Sequence, residues 1–276
     1  MNIEQALSYG HSVLVKSESP DLDSKILLCL VLDCQTTYLH TWPDKVLTTE
    51  QQALFEQFIH QRLRGAPVAH ITGVRGFWSL DLKVTEATLI PRPDTELLVS
   101  LALTKIRPKM MVADLGTGSG AIALALATEQ PDIMLIASDY SWSALQVAKL
   151  NALENKLNNV SFIRANWLAA CRSSVFDVII SNPPYITEDD PHLLEGDVRF
   201  EPVTALASGK DGLTDIRIIV SQACQSLKSG GWLLVEHGYH QAEQVMQLYH
   251  DAGFSNISSH QDYGDNDRVV IGQLTL

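Results

Sequence analysis

The sequence predicts an α/β fold: a mostly parallel sheet of seven strands, preceded by a small helical domain and a β-hairpin linker. Three observations carry this. From Met110 onward, short β-branched runs alternate with longer helical stretches, as in strands joined by crossover helices. A glycine-rich turn, Val112-Ala-Asp-Leu-Gly-Thr-Gly-Ser-Gly-Ala121, joins the first of these strands to its helix. The first 72 residues instead show only helical spacing of apolar side chains.

Taken in order, Ile3, Ala6, Leu7, Val13 and Leu14 outline a first helix. Pro20 opens a second, carrying Ile26, Leu27, Leu30 and Val31. Thr48 with Gln51 has capping-box spacing and starts a helix through Leu54, Phe55, Phe58, Ile59 and Leu63. Gly65 and Pro67 end it, and the helical domain is set at residues 1–72. Residues 73–90 form the linker: from Gly76 to Thr85 apolar and polar side chains alternate, which suits a hairpin. Ile90-Pro-Arg-Pro-Asp-Thr-Glu96 is a stiff loop, with Asp94 or Thr95 as cap of a helix from Glu96 to Ile106.

Residues 91–276 make the third region. Strands are expected at 110–115, 133–138, 160–164, 175–181, 231–236, 255–260 and 268–273. Helices are expected at 119–129, 142–154, 213–228 and 241–251. The span from Ile186 to Asp211 is long for a plain connection, which marks it as functional.

Composition narrows the function. A net charge of −12 over 276 residues argues against sequence-independent binding to a nucleic-acid backbone, which needs a basic face. Met1-Asn-Ile-Glu-Gln lacks the basic and apolar regions of a secretory signal, so a cytoplasmic protein is expected. The apolar run Ile26–Leu32 is too short to span a bilayer. Cys29, Cys34, Cys171 and Cys224 have no C-x-x-C spacing, and the histidines are scattered, so no metal site is expected.

Two motifs carry chemistry. Val175-Phe-Asp-Val-Ile-Ile-Ser is a buried strand stopped by Asn182-Pro183-Pro184-Tyr185. Two prolines without N–H groups fix the turn. They hold a primary amide, backbone carbonyls and an aromatic ring at the carboxyl edge of the sheet, where open α/β sheets bind ligands. Such a group accepts hydrogen bonds from a planar –NH2, although Asn-Pro-Pro also serves as an ordinary strand end. In the glycine-rich turn, Gly116, Thr117, Gly118, Ser119 and Gly120 allow close backbone approach to a cofactor. Asp139, ending the next strand, suits ribose hydroxyls. With Ala121 the spacing also fits the dinucleotide fingerprint, so the glycines alone leave nicotinamide, flavin and S-adenosylmethionine open. Asp114 favours S-adenosylmethionine, because a carboxylate there suits an amino-acid tail better than a pyrophosphate. Asn166 and Trp167 follow the third strand, where an indole could stack on a purine or fill the core.

Together these motifs resemble those of class I S-adenosylmethionine-dependent methyltransferases, which are Rossmann-like. Five further stretches resemble the peptide chain release factor glutamine methyltransferase family (PrmC/HemK): 90–96, 181–186, 195–202, 230–238 and 262–268. The resemblance spans nearly the whole chain. It implies methylation of the glutamine nitrogen in the Gly-Gly-Gln motif of class 1 release factors. It implies that Gly116–Gly120, Asp139, Asn166, Trp167 and Asn182 bind S-adenosyl-L-methionine, and that Asn182, Pro183, Pro184 and Tyr185 bind the glutamine and serve catalysis. The family often has Asp where this chain has Asn166. The first 72 residues would recognise the protein substrate, and the chain would act as a monomer. The competing enzyme reading is an adenine-N6 methyltransferase, with the same Asn-Pro-Pro-Tyr acting on a flipped base. The non-enzymatic one is a cofactor-binding module that docks on a translation factor.

Overall fold

The computed structural model describes residues 1–169 and 171–275. The chain divides into two compact units, one of Met1–Val74 with Gly196–Phe200, the other of Arg75–Glu195 and Glu201–Leu276.

The first unit is helical. Helix α1 (Ile3–Val13) starts at Asn2, which forms a reciprocal capping box with Gln5. Helices α2 (Pro20–Leu32), α3 (Thr36–Thr41), α4 (Thr49–Leu63) and α5 (Val68–Thr72) follow. Thr48 caps α4 through Gln51, as its spacing predicts. Helices α3 and α5 are too short for a periodic pattern to announce them. Ile3, Ala6, Leu27, Leu28, Phe55 and Ile59 are fully buried between the longer helices. Gly10 lets α1 approach α2 closely, because a Cβ there would meet Ser24 Oγ at 2.5 Å. The buried Asp23 accepts from Arg62 at 2.8 Å, Ser17 at 2.7 Å and Ser19 at 3.1 Å. Arg62 also donates to Asp197 at 2.6 Å, in the segment that the long span contributes to this unit.

The chain enters the second unit through a two-stranded hairpin, β1 (Val74–Phe77) and β2 (Leu80–Lys83). Next come α6 (Thr95–Lys105), β3 (Met111–Leu115), α7 (Ala121–Glu129), β4 (Met134–Asp139), α8 (Trp142–Glu154), β5 (Val160–Arg164) and β6 (Phe176–Ser181). After the long span come α9 (Thr214–Ser226), β7 (Leu227–Glu236), α10 (Ala242–Asp251), β8 (Phe254–Gln261) and β9 (Asp267–Leu274). The sheet order is β5-β4-β3-β6-β7-β9-β8. Strands β5 to β7 are parallel, and β9 runs antiparallel to both of its neighbours. Val178, Ile179 and Ile180 are fully buried, as expected of a parallel sheet covered on both faces.

Two expectations need correction. Strand β7 begins at Leu227 rather than 231. Gly230 and Gly231 lie inside it as an irregularity, with a register shift against β6 between Phe176 and Val178. Asp94 holds the N-cap position of α6 but makes no side-chain cap bond. Its backbone is already helical, so its carboxylate does not reach the free amides, and it lies 3.6 Å from Arg268 instead.

Candidate active site

The sheet's connectivity creates the site. From β3 the chain runs outward through β4 to β5, then returns to place β6 on the other side of β3. Ligands bind at such a switch point, outside the carboxyl ends of the strands. Leu115 is in register with Ser138 on one side and Ser181 on the other. The residues that follow, Gly116, Asp139 and Asn182, are therefore neighbours. Ser181 Oγ donates to Leu115 O at 2.8 Å and ties the two strand ends together.

A cavity of about 600 Å³ lies along this edge. Of the expected site residues, Gly116, Gly118, Asp139, Asn166, Trp167, Asn182 and Pro184 line it. Thr117, Ser119, Gly120, Pro183 and Tyr185 do not. Thr117 turns its hydroxyl inward to Asp114 Oδ2 at 2.6 Å. Ser119 O accepts from Asn151 at 2.8 Å, and Gly120 packs toward Leu124 and Ala148.

Asp114 departs from its expected role. It is fully buried and absent from the cavity wall. Its Oδ2 also accepts from Ala123 N at 3.2 Å, so the carboxylate fastens the glycine turn to the first turn of α7. Burial pushes its carboxyl up to about 7, against the hydrogen bonds from Thr117 and Ala123.

Asp139 stands on the cavity wall. Its Oδ2 accepts from Gly118 N at 2.9 Å and its Oδ1 from Ser141 N at 2.8 Å. Each oxygen keeps a further lone pair for a hydroxyl. Burial raises its carboxyl above the ordinary aspartate value, opposed by those backbone bonds. At Gly118, φ is +57° and a Cβ would have nothing within 4 Å, so the turn leaves open space on the cavity side.

Trp167 adopts a left-handed φ of +50°, unusual for a bulky residue. Its Nε1 donates to Asp215 Oδ1 at 3.1 Å, and Ser208 Oγ donates to Asp215 Oδ2 at 2.7 Å. A Cβ on Gly116 would come within 3.2 Å of the indole. The ring is thus locked at the wall from two sides.

Asn182 Nδ2 donates to Thr95 Oγ1 at 3.0 Å. Tyr185 OH points to Glu236 Oε1 at 3.4 Å, and Tyr185 O accepts from Gln241 Nε2 at 3.0 Å. Burial pushes the Glu236 carboxyl up to about 7, opposed by Thr95, Arg268 and Tyr185. Arg268 is itself held by Asp262 at 2.9 Å. The loop 90–96 contributes further: Arg92 pairs with the buried Glu201, and Ile90 N donates to the same carboxylate at 3.1 Å.

Sequence reasoning missed several wall residues: Asp215, the stretch 86–89 from the linker, and Pro202, Thr204, Ala205 and Ala207 from the long span. Only the span's length hinted at the last group. Among the described residues no cluster of His, Cys, Asp or Glu could hold a metal, and no helix is long and apolar enough to cross a membrane.

Comparison with known proteins fits this geometry. Residues 5–73 match the family model "PrmC N-terminal domain", and residues 93–195 match "Methyltransferase small domain". A release factor glutamine methyltransferase of Aliivibrio fischeri is 48% identical over 262 residues, covering 94% of this chain and 92% of that protein. The Escherichia coli protein of the same name is 45% identical and covers 99% of each. The fold is also that of a methyltransferase from Pyrococcus furiosus, with a TM-score of 0.56 at 16% identity over 79% of this chain and 98% of that one. With identity this high over nearly its full length, the chain belongs to the release factor glutamine methyltransferase family.

Proposed function

We propose that the chain is a protein-(glutamine-N5) methyltransferase that transfers a methyl group from S-adenosyl-L-methionine to the glutamine side-chain nitrogen of the Gly-Gly-Gln motif in class 1 release factors. The observation that carries this is Asn182, set on the cavity wall with its –NH2 end engaged by Thr95. Its Oδ1 is left to accept from a substrate amide.

The wall suits the cofactor. A volume of about 600 Å³ is within the range for small-molecule sites. Asp139 has lone pairs for a ribose, Gly118 keeps the backbone open to close approach, and Trp167 with Asn166 offers a flat face and an amide for a purine. When bound, S-adenosylmethionine would supply an electrophilic methyl group and leave as the neutral thioether, with the surplus proton of the glutamine nitrogen passing to water.

The chain's own residues do the rest. A glutamine nitrogen is a poor nucleophile because its lone pair is delocalised into the carbonyl. Asn182 Oδ1 on the cavity wall accepts from one of its N–H groups and the carbonyl of Pro183, next in the chain though not part of that wall, from the other, and together they aim the nitrogen. Those N–H bonds become more acidic as the new bond forms, so both acceptors bind the transition state more tightly than the ground state. Pro184 forms the wall beside them, and Tyr185 holds the turn through Glu236 and Gln241. Fixing the nitrogen supplies much of the remaining acceleration.

In this reading the helical residues 1–72 recognise the release factor, residues 73–90 link, and residues 91–276 carry the chemistry of a cytoplasmic monomer. The test is incubation with S-adenosylmethionine and an intact class 1 release factor, followed by mass mapping. One methyl on the Gly-Gly-Gln glutamine is expected, with faster transfer than to a free Gly-Gly-Gln peptide. A methyl found only on adenine, or none at all, would refute the reading.

A further inference from the structure

We propose that Asp215 is a positioning residue that sets the orientation of the Trp167 indole in the cavity wall, an inference that rests on the cofactor reading above. An indole offers a ligand its flat face, and that face serves only where its tilt is fixed. The sheet does not fix it, because Trp167 lies beyond the end of β5 with a left-handed φ of +50°. A bulky residue avoids that region, so contacts outside its own backbone must hold it there.

Helix α9 supplies them. The indole has one polar group, the Nε1 donor. It donates to Asp215 Oδ1 at 3.1 Å. The next backbone amide, Leu168 N, donates to Gln222 Oε1 at 2.7 Å. Asp215 and Gln222 are seven residues apart, about two turns along one face of α9. One helix face thus grips the ring and the backbone that follows it. On its other side the ring packs on the glycine turn, where a Cβ on Gly116 would come within 3.2 Å of it.

Asp215 is itself held. Ser208 Oγ donates to Asp215 Oδ2 at 2.7 Å and accepts from Asp215 N at 2.8 Å. Leu213, at the N-cap of α9, makes no side-chain cap bond, so Ser208 fills that role from outside the helix. Ser208 is 2% exposed, and its backbone N donates to Ile186 O at 2.9 Å. Tyr185 N and Ile186 N both donate to Leu206 O, at 3.1 and 2.9 Å. Ser208 therefore belongs to the segment that pairs with the exit of the Asn-Pro-Pro-Tyr turn. A run of hydrogen bonds leads from that exit through Ser208 and Asp215 to the indole. The ring in the cavity wall is thereby registered against the turn that carries Asn182. Asp215 also lines the cavity, so a direct contact with the ligand is the rival account of the same carboxylate.

The test uses the full chain with 15N-tryptophan labelling and two arms. In the first, the Trp167 indole N–H resonance, assigned by its loss in Trp167→Phe, is followed by NMR without cofactor. It is expected to shift in Asp215→Ala and in Ser208→Ala. In Asp215→Asn it is expected to stay near its wild-type position, because the amide oxygen still accepts from Nε1. Ser208→Ala leaves the carboxylate in place and covers the case in which Asp215→Ala does not fold. In the second arm, S-adenosylmethionine affinity is measured by calorimetry. Asp215→Ala is expected to lower it about tenfold, the size of one hydrogen bond to a charged group. Asp215→Asn is expected to recover most of that loss. In a Trp167→Phe background, which has no indole N–H, Asp215→Ala is expected to cost nothing further. A loss that persists in that background would make Asp215 a direct ligand contact and overturn the proposal. So would an indole resonance indifferent to both Asp215→Ala and Ser208→Ala. If the wild-type chain binds no S-adenosylmethionine, the cofactor reading falls, and the resonance arm still decides the positioning.

Discussion

The two ends of the cavity are built differently. At the glycine turn, contacts are short in sequence: Thr117 to Asp114 spans three residues, Asp139 to Ser141 two, and Asp139 to Gly118 21. Backbone amides and the conformational freedom of glycine do most of the work. At the Asn182 end, the bond to Thr95 joins residues 87 apart, and that between Tyr185 and Glu236 joins residues 51 apart. Side chains far apart in the chain meet there in pairs, Asn182 with Thr95 and Tyr185 with Glu236. The first design offers a cavity wall shaped by backbone and a few fixed dipoles. The second engages the –NH2 end of a single amide. Substitutions at the two ends should therefore fail in different ways, in affinity at one and in turnover at the other.

The largest effect is expected at Asn182→Ala. It removes an acceptor aimed at charge that develops during transfer. By analogy with loss of one oxyanion-hole donor, turnover should fall roughly 10²–10³-fold, about 2.7–4 kcal/mol. Cofactor affinity should largely persist, because the glycine turn and Asp139 lie on other strands. Asn182→Asp keeps the shape but adds a charge beside a sulfonium, and is also expected to be slow. A wild-type single-turnover rate in Asn182→Ala would make this end of the cavity a simple turn and erase the contrast.

The second effect is on stability, and Glu236 carries it at the Asn182 end. Glu236 moves from its ordinary 4.5 to about 7 in the folded protein. The folded state therefore holds this proton more tightly than the unfolded one. The stabilisation from protonating Glu236 is complete below the unfolded value and is lost as pH rises through about 7. The size is on the order of 3 kcal/mol. Glu236→Gln should remove this dependence, so its unfolding free energy relative to wild type should rise between pH 5 and pH 8. Denaturant titrations at both pH values check it. A difference that does not change with pH would mean the carboxylate is better solvated than its burial implies.

The same contrast explains what the sequence revealed. Helix 142–154 matches α8, and the capping box at Thr48 is local, so both are legible from residues a few positions apart. The glycine turn and Asn-Pro-Pro-Tyr are legible for the same reason. Thr95 reads as a helix cap because Thr before a helix usually is one, and only the fold brings Asn182 to it. Asp215 lies near the start of an ordinary amphipathic helix, and its link to Trp167 spans 48 residues. Glu236 ends an apolar strand, where a carboxylate gives no hint of burial until β9 covers it. Asp114 misleads in the other direction. Its position beside the first glycine suggests ligand contact, yet its hydrogen bonds to Thr117 and Ala123 stay inside the turn.

The third prediction sharpens the affinity side. Asp139→Ala should weaken S-adenosylmethionine binding roughly 10- to 100-fold, since hydrogen bonds to a charged group contribute about 1.5–3 kcal/mol. Stability should fall as well, because Asp139 also holds the amides of Gly118 and Ser141. Asp139→Asn keeps an acceptor and should recover part of both. Calorimetric affinity unchanged in Asp139→Ala would remove this residue from the cofactor site.

The smallest effect is expected at Gly118→Ala, and it separates backbone conformation from ligand contact. The φ of +57° makes any side chain there strained, at roughly 1–2 kcal/mol. A Cβ at Gly118 meets nothing within 4 Å, so no packing penalty is added. At Gly116, with φ of +70°, a Cβ also comes within 3.2 Å of Trp167, so Gly116→Ala should be the less stable of the two. The affinities should show a different pattern. Gly118 lines the cavity, and its new methyl group would stand in the open space that a bound cofactor needs. Gly118→Ala should thus lose affinity by about fivefold or more, beyond what its modest destabilisation explains. Thermal unfolding with and without S-adenosylmethionine resolves the two terms. If Gly118→Ala binds as tightly as wild type, the backbone does not come close to the ligand there, and the glycine turn serves the fold rather than the site.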